Sequence, residues 1–355
     1  MSRFGAFGAK LYRGELSYNI VGSRKLLYTI SAGLLLISAV GLFGRGLNLG
    51  IEFRGGAEFQ IQSDAGTVEQ ARAAATSVGI ENTIITKVGS NKLRVQTPEL
   101  SETQRNAVID KLATTFSVDK SEVQVQLIGP SWGADITSKA ITALWVFLAL
   151  VAAFLAIVFE WRMAAASIVA LVHDVVITVG IYALTGFEVT PSTVIGVLTI
   201  LGYSLYDTVV VFDKVKENTV KIERQNRFTY SGAANLALNQ TLVRSINTSI
   251  VALLPVTAIL GIGAGILGAG TLRDLSLALF VGMLVGTYSS IAIATPVLAQ
   301  LKEKQPEMIA LAKRVVSKGG RNVDAEGAGV ATPARNVVTE TGPRNQPRRK
   351  PRSKR

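Results

Sequence analysis

The sequence predicts a polytopic α-helical membrane protein with six transmembrane helices and one small external ferredoxin-like βαββαβ domain. Three observations carry that expectation. The 355 residues are 48% hydrophobic at a mean hydropathy of +0.36, and the apolar residues gather in runs of about 20, the length that crosses a bilayer core as a helix. Between the first run and the second lies a stretch, 44–135, in which hydropathy falls and soluble patterns appear. The fourth run, 191–212, carries a carboxylate, Asp207, inside it. A charge at that depth costs about 2.5–3.5 kcal/mol on insertion scales, so it persists with a partner, a proton or a wet cavity, and its default reading is functional.

Residues 1–25 are basic and polar, with Lys10, Arg13, Arg24 and Lys25, and read as a cytoplasmic N-terminus. The run 26–43 exceeds a usual signal-peptide core and follows a long lead-in, so it reads as an uncleaved first span.

In the external stretch Glu58–Gln62, Thr83–Val88, Lys92–Thr97 and Glu122–Ile128 read as strands from β-branched content and partial alternation. Two helices separate them, opening at the capping-box patterns Thr67-Val-Glu-Gln70 and Ser101-Glu-Thr-Gln104. Gly89-Ser90-Asn91 supplies a hairpin turn. Basic and acidic residues nearly cancel here, so the positive-inside rule does not forbid export of this domain.

Further spans are expected at 136–159, 163–184, 191–212 and 275–299. A less regular fifth, 242–262, runs into the glycine-rich segment 261–270, where helix extension, an outer loop and close helix contact all remain open. Trp161 and Arg162 form an interfacial anchor, and Thr190-Pro191 reads as an N-cap followed by a first-turn proline. Arg162 and the loop 213–241, with Lys214, Lys216, Lys221, Arg224 and Arg227, are basic, whereas 186–190 offers only Glu188, which places both termini in the cytoplasm. Gly282 and Gly286 match the small-xxx-small spacing for close helix approach. The segment 300–355 is expected to be a basic, disordered cytoplasmic tail, either solvated or held to anionic lipid or RNA.

The net charge of +12 follows from that tail and from the flanks of the spans, 14 of the 37 basic residues lying in 302–355, so it speaks for membrane orientation rather than a specific nucleic-acid partner. There is no cysteine and one histidine, His173, which excludes disulfides and argues against a metal centre. No G-x-x-x-x-G-K-[ST] loop and no nucleophile elbow are present, so ATP is not the direct fuel and hydrolytic catalysis is unsupported. No cofactor is expected, and the chain reads as a transducer rather than an enzyme.

Three polar sites in the spans are candidates for a proton path: Asp207, Asp174 beside His173, and Arg244 at the start of the fifth span. Ser192, Gly196, Thr199, Tyr203 and Asp207 are expected along one helical face as a polar seam, leaving Ile195, Leu198, Leu201 and Val209 to meet lipid or other helices. Packing by hydrogen bonds to serine or threonine is the alternative role for Asp174, and snorkelling to the interface the alternative for Arg244. His173 and Asp174 point about 100° apart on a helix and need not pair.

Five segments together resemble the SecF family of protein-export membrane subunits: Gly50-Ile-Glu52-Phe53-Arg-Gly55-Gly56, Gly129-Pro130-Ser-Trp-Gly133, Phe159-Glu-Trp-Arg162, His173-Asp174 and Gly202-Tyr203-Ser204-Leu-Tyr206-Asp207. The resemblance covers roughly residues 24–300. It implies half of a resistance-nodulation-division fold that works with SecD and the SecYEG channel in the bacterial cytoplasmic membrane. Proton motive force would drive late stages of preprotein export, the external domain contacting the emerging chain. It further implies proton conduction at Asp207 and a role for Arg244. Glu52 stands where the family usually has Asp, and Tyr206 where it usually has Asn. Half of a proton-driven small-molecule efflux pump and a non-transporting membrane assembly scaffold are the rival readings.

Overall fold

The computed structural model describes residues 17–62, 66–88, 91–264 and 270–318. Six of its helices are long and apolar enough to cross a membrane. The first is α1 (Arg24–Gly44). After it come β1 (Asn48–Leu49), the short α2 (Ile51–Arg54), β2 (Gly56–Gln62), α3 (Val68–Ser77), β3 (Ile84–Val88), β4 (Lys92–Thr97), α4 (Glu102–Phe116) and β5 (Gln124–Ile128). The remaining membrane helices are α5 (Pro130–Val158), α6 (Trp161–Thr185), α7 (Pro191–Thr219), α8 (Tyr230–Ala258), and a last one built of α9 (Gly270–Ser289), a π-turn (Ser290–Ala294) and α10 (Thr295–Glu303). A two-residue strand β6 (Glu188–Val189) lies between α6 and α7, and α11 (Pro306–Ser317) ends the described chain.

The external domain is a four-stranded antiparallel sheet in the order β3-β4-β2-β5. Phe59, Ile61, Leu93 and Val95 of its strands meet Ala71 and Ala75 of α3 and Val108 and Leu112 of α4 in one core, all of them buried. Alternation along β2 and β4 places these apolar residues on the helix-covered face. Both capping boxes form, at Thr67 with Gln70 and at Ser101 with Gln104, each satisfying two free donors. The expected Gly89-Ser90-Asn91 turn falls mostly outside the described residues.

Two features seat this domain on the membrane helices. β1 pairs in parallel with β6, Asn48 opposite Glu188 and Leu49 opposite Val189, which ties the chain leaving α1 to the turn before α7. Gly56 has φ +137, and a Cβ there would stand 2.3 Å from the Thr97 carbonyl oxygen; glycine alone fits this crossing of β2 and β4. Gly129 caps α5, Pro130 takes its first turn, and Gly133 faces the backbone at Phe53 so closely that a Cβ would come within 2.7 Å of its carbonyl oxygen.

Several helices differ from the boundaries that hydropathy suggests. The expected loop 213–241 is mostly helical: α7 runs on to Thr219 and α8 begins at Tyr230, because Thr229 caps it through the Gly232 amide and the polar residues of its first turns are buried. The expected disordered tail contains α11, whose Met308, Leu311 and Val315 return to the core in a 3.6-residue stripe behind a first-turn proline. Residues 319–355 and 1–16 lie outside the described chain, so the disorder and basic-tail expectations apply to them only in sequence. In the glycine-rich segment α8 continues as a π-turn over Ile259–Ala264, and 265–269 are not described.

The buried stripe of α7 is Thr193, Gly196, Ile200, Ser204, Asp207 and Val211, rather than the seam through Thr199 and Tyr203. Thr199 is exposed, Tyr203 is half-buried, and Leu201, off the seam as expected, is buried against other helices. The face is set by α9. A Cβ on Gly282 would come within 2.2 Å of Ile200, and one on Gly286 would stand 3.0 Å from the Ser204 Cβ, so the two glycines let α9 lie directly on this stripe.

Candidate functional site

The α7 stripe presents Asp207 to two other helices. Ser245 of α8 donates to its Oδ1 at 2.7 Å, and Ser290, the first residue of the π-turn, donates to its Oδ2. Asp207 is 4% exposed, and among the described residues no lysine or arginine pairs with it. A hydrogen bond to a charged group contributes about 1.5–3 kcal/mol, so two serines can offset a membrane cost of about 2.5–3.5 kcal/mol without a counter-ion. Asp207 is therefore held by two serines with no counter-ion among the described residues.

A second buried acid stands on α6. Asp174, 1% exposed, accepts from Ser204 of α7 at 2.6 Å and from Ser289 of α9 at 2.8 Å, both on Oδ2. His173 does pair with it: Nδ1 lies 3.2 Å from Oδ1, and the ring stacks on Tyr288. The histidine Nε2 is buried with no partner among the described residues. Ser204, which the sequence motif singles out, thus serves Asp174 rather than Asp207, although it sits one turn before Asp207 on the same face.

Tyr203 reaches α8, its hydroxyl donating to Ser249 at 3.1 Å, and Ser249 in turn lies 2.7 Å from Thr287 Oγ1 of α9. Gly202 has open space around it and takes no part in helix contact. Arg244 is not brought to Asp207. Its Nη2 lies 3.5 Å from the Tyr206 hydroxyl on the outer side of α7 and α8, where Tyr206 is 53% exposed. Below them a cleft lined by Val209, Asp213, Lys214, Glu217, Gln240 and Arg244 opens at the end of the bundle opposite the external domain.

The Gly50–Gly56 segment is structural in a different place. Glu52 opens the first turn of α2, Phe53 and Gly55 carry the chain into β2, and Glu52 faces a polar cavity with Glu58, Arg94, Thr190 and Asp274. Burial holds the Glu52 carboxyl above the usual carboxylate range, and the charges of Glu188 and Glu58 push the same way. Beside it Arg94 forms an ion pair with Glu188, and Gln96 donates to Glu188 at 2.6 Å and to Glu58 at 3.0 Å.

Sequence reasoning missed Ser245, Ser289 and Ser290, because serines inside apolar runs carry no motif of their own. It also missed the Arg94–Glu188 pair, which joins residues 94 apart. A signal for the latter existed in Glu188 being alone in its loop, but nothing in the sequence names its partner.

Residues 107–304 match the family model described as protein export membrane protein SecD/SecF, C-terminal, and 40–67 match the SecD/SecF GG motif. The protein translocase subunit SecF of Streptomyces coelicolor is 48% identical over 363 residues, covering 98% of this chain and 96% of that one. The subunit of the same description from Mycobacterium leprae is 37% identical over 350 residues, covering 92% and 74%. The crystal structure of SecDF from Thermus thermophilus, described as a translocon-associated membrane protein, superposes with a TM-score of 0.71 at 32% identity, covering 81% of this chain. This chain spans 39% of that longer one. With a buried acid on α7, the glycine motif leading into β2 and these matches in agreement, the chain belongs to the SecD/SecF family of protein-export membrane proteins.

Proposed function

We propose that this chain is the SecF-type half of a proton-driven export motor in the bacterial cytoplasmic membrane. With SecD it would use the proton motive force to complete preprotein passage through the SecYEG channel. The observation that carries the reading is Asp207, buried in the bundle, bound by two serines and without a cationic partner among the described residues. In this reading Asp207 takes up and releases the transported proton, since the serine hydroxyls can donate to a carboxylate and accept from a carboxyl. One charge crossing the membrane yields about 2.3 kcal/mol per 100 mV, enough to bias two arrangements of the helices. Asp174 is a second proton site in this reading. Arg244 is its electrostatic control, acting at the mouth of the cleft beside Asp213.

The partner follows from the outer face of α7 and α8. Tyr206 and Arg244 share it with Ile250, Val251 and Leu254, all exposed in this chain. An arginine facing lipid is costly, so the six spans of SecD are the natural cover. Both termini lie in the cytoplasm, and the sheet domain lies outside, where an emerging preprotein is met.

Asp207→Asn tests the motor, because the amide keeps the shape and removes the titrating group. In inverted vesicles ATP-dependent initiation should survive while stimulation of completion by the proton gradient is lost. Collapse of the gradient by an ionophore should slow the wild type and leave Asp207→Asn unchanged. A variant that responds to ionophore as the wild type does would remove Asp207 from proton coupling.

A further inference from the structure

Where α9 passes into the π-turn of the last membrane helix, two neighbouring serines sit on two different acids. Ser289 donates to Asp174 Oδ2 at 2.8 Å, and Ser290 donates to Asp207 Oδ2. Each hydroxyl also has a carbonyl of its own helix within reach, Ser289 that of Gly286 at 3.2 Å and Ser290 that of Thr287 at 3.1 Å. A hydroxyl has one hydrogen to give and lone pairs to accept with. With the carboxylate charged, the serine hydrogen points to the acid. With the carboxyl protonated, its O–H donates to the serine oxygen and the serine hydrogen turns to the carbonyl. Neither setting moves a heavy atom or leaves a buried polar group unpaired, and that is what an acid needs in order to gain and lose a proton away from water.

We infer that Ser289 and Ser290 are positioning residues that make Asp174 and Asp207 titrate as one coupled pair. The inference deepens the proton-site reading of Asp207 and rests on it. Both serines are fully buried. Adjacent residues on a helix diverge by about 100°, which is how one serine reaches α6 and the next reaches α7. Pro296, just after the π-turn, has no N–H for the Ala292 carbonyl, and within the turn the Ser290 carbonyl accepts from Thr295 Oγ1 at 3.4 Å. Ser204 gives a second link, since it donates to Asp174 from the α7 turn that carries Asp207.

The groups around the pair leave the two acids to act on each other. Facing Asp174 are His173 on its own helix, Ser204 on α7 and Ser289 on α9, with Tyr288 stacked on the histidine. Facing Asp207 are Ser245 on α8 and Ser290, while Arg244 turns away to Tyr206. Like charges held one each by two adjacent serines in a low-dielectric interior oppose each other's ionisation, and the two proton steps belong to the pair.

Dicyclohexylcarbodiimide, which modifies protonated buried carboxyls, reads both acids at once when its adducts are counted by peptide mass spectrometry against pH. The full chain in lipid vesicles is the sample. Ser290→Ala should raise the labelling midpoint of Asp207 by about one pH unit, a tenfold change, and Ser289→Ala should do the same to Asp174. Ser290→Thr and Ser289→Thr, which keep the hydroxyl, should restore the wild-type midpoints. Asp174→Asn should lower the midpoint of Asp207. Wild-type midpoints in both alanine variants, or an Asp207 midpoint indifferent to Asp174→Asn, would overturn the coupling and leave Asp207 as a lone proton site. Labelling of wild-type Asp207 that does not change with pH would overturn the coupling and the proton-site reading together.

Discussion

Glu52 shows how much a single side chain can differ from its motif. The sequence places it in the glycine motif 50–56, where it keeps the charge of the aspartate usual in the family. In the fold it is half-buried, its Oε2 has no hydrogen-bond partner among the described residues, and Glu58 and Glu188 lie on the same side of it. Its raised carboxyl range has a definite sign in stability. Below the unfolded value of about 4.3 both states are protonated and nothing is lost. As pH rises past it the unfolded chain ionises first, so the charge weighs against the folded state, fully so above the folded value. Glu52→Gln should therefore be more thermostable than wild type in detergent at pH 7, with the difference vanishing at pH 4. A melting difference that is the same at both pH values would assign the effect to packing. Tyr206 departs from the family pattern in the opposite sense. Its larger side chain still presents a hydroxyl to Arg244, so the substitution keeps a polar contact on the outer face and leaves the serines of Asp207 untouched.

Among the elements, the connection between the sheet domain and α7 has the clearest mechanical consequence. β4 supplies Arg94 and Gln96, β2 supplies Glu58, and β6, immediately before α7, supplies Glu188. Thr190 then caps α7 through the Thr193 amide. A tilt of α7 at Asp207 is thus carried to the sheet by two residues of chain and a pair that is 13% and 8% exposed at its side chains. Removing Arg94 leaves the buried Glu188 charge to the Gln96 amide without its cation, and removing Glu188 leaves Arg94 its longer pair with Glu58 at 3.9 Å, so either single loss is worse than removing both. In a double-mutant cycle of Arg94→Met and Glu188→Gln, each single variant should lose about 2–4 kcal/mol and the pair should recover about 1–3 kcal/mol through the interaction term. Purely additive losses would show that the ion pair does not hold the domain to α7. The Thr190 cap was legible beforehand, and the cross-domain pair was not. Element types and the two capping boxes follow from local patterns that the sequence displays, whereas the pairing of β1 with β6 and of Arg94 with Glu188 depends on where distant segments meet.

For the whole molecule, hydropathy was enough to place six spans and the intervening domain, because a bilayer imposes length and composition on each span separately. It was a poor guide to where helices stop. The helix α8 extends into polar sequence because Asn235, Asn239 and Ser231 are buried against other chain segments, Asn235 accepting from the Ile20 and Val21 amides and Asn239 from the Tyr18 amide, while α7 and α11 extend because Val215 of the one and Met308, Leu311 and Val315 of the other pack into the core. The site was half legible. Asp207, Asp174 and Arg244 declared themselves as charges in apolar runs, but which serines serve which acid depends on helix rotation, and rotation is set by Gly282 and Gly286 on α9. The claim on which the motor rests is sidedness, since a proton path needs two reservoirs. The chain contains no cysteine, so single cysteines introduced at Asn91 and Asn226 report their own location without background. Asn91 lies beside the β3–β4 turn and Asn226 in the connection between α7 and α8, at opposite ends of the bundle. Basic residues crowd the Asn226 end, with Lys221, Arg224 and Arg227 nearby, and charge of that sign stays inside. A membrane-impermeant maleimide should label Asn91→Cys in intact cells and Asn226→Cys only after permeabilisation. Labelling of both from outside would break the six-span arrangement, and labelling of Asn226→Cys alone would invert the orientation and with it the direction of proton exchange proposed for Asp207.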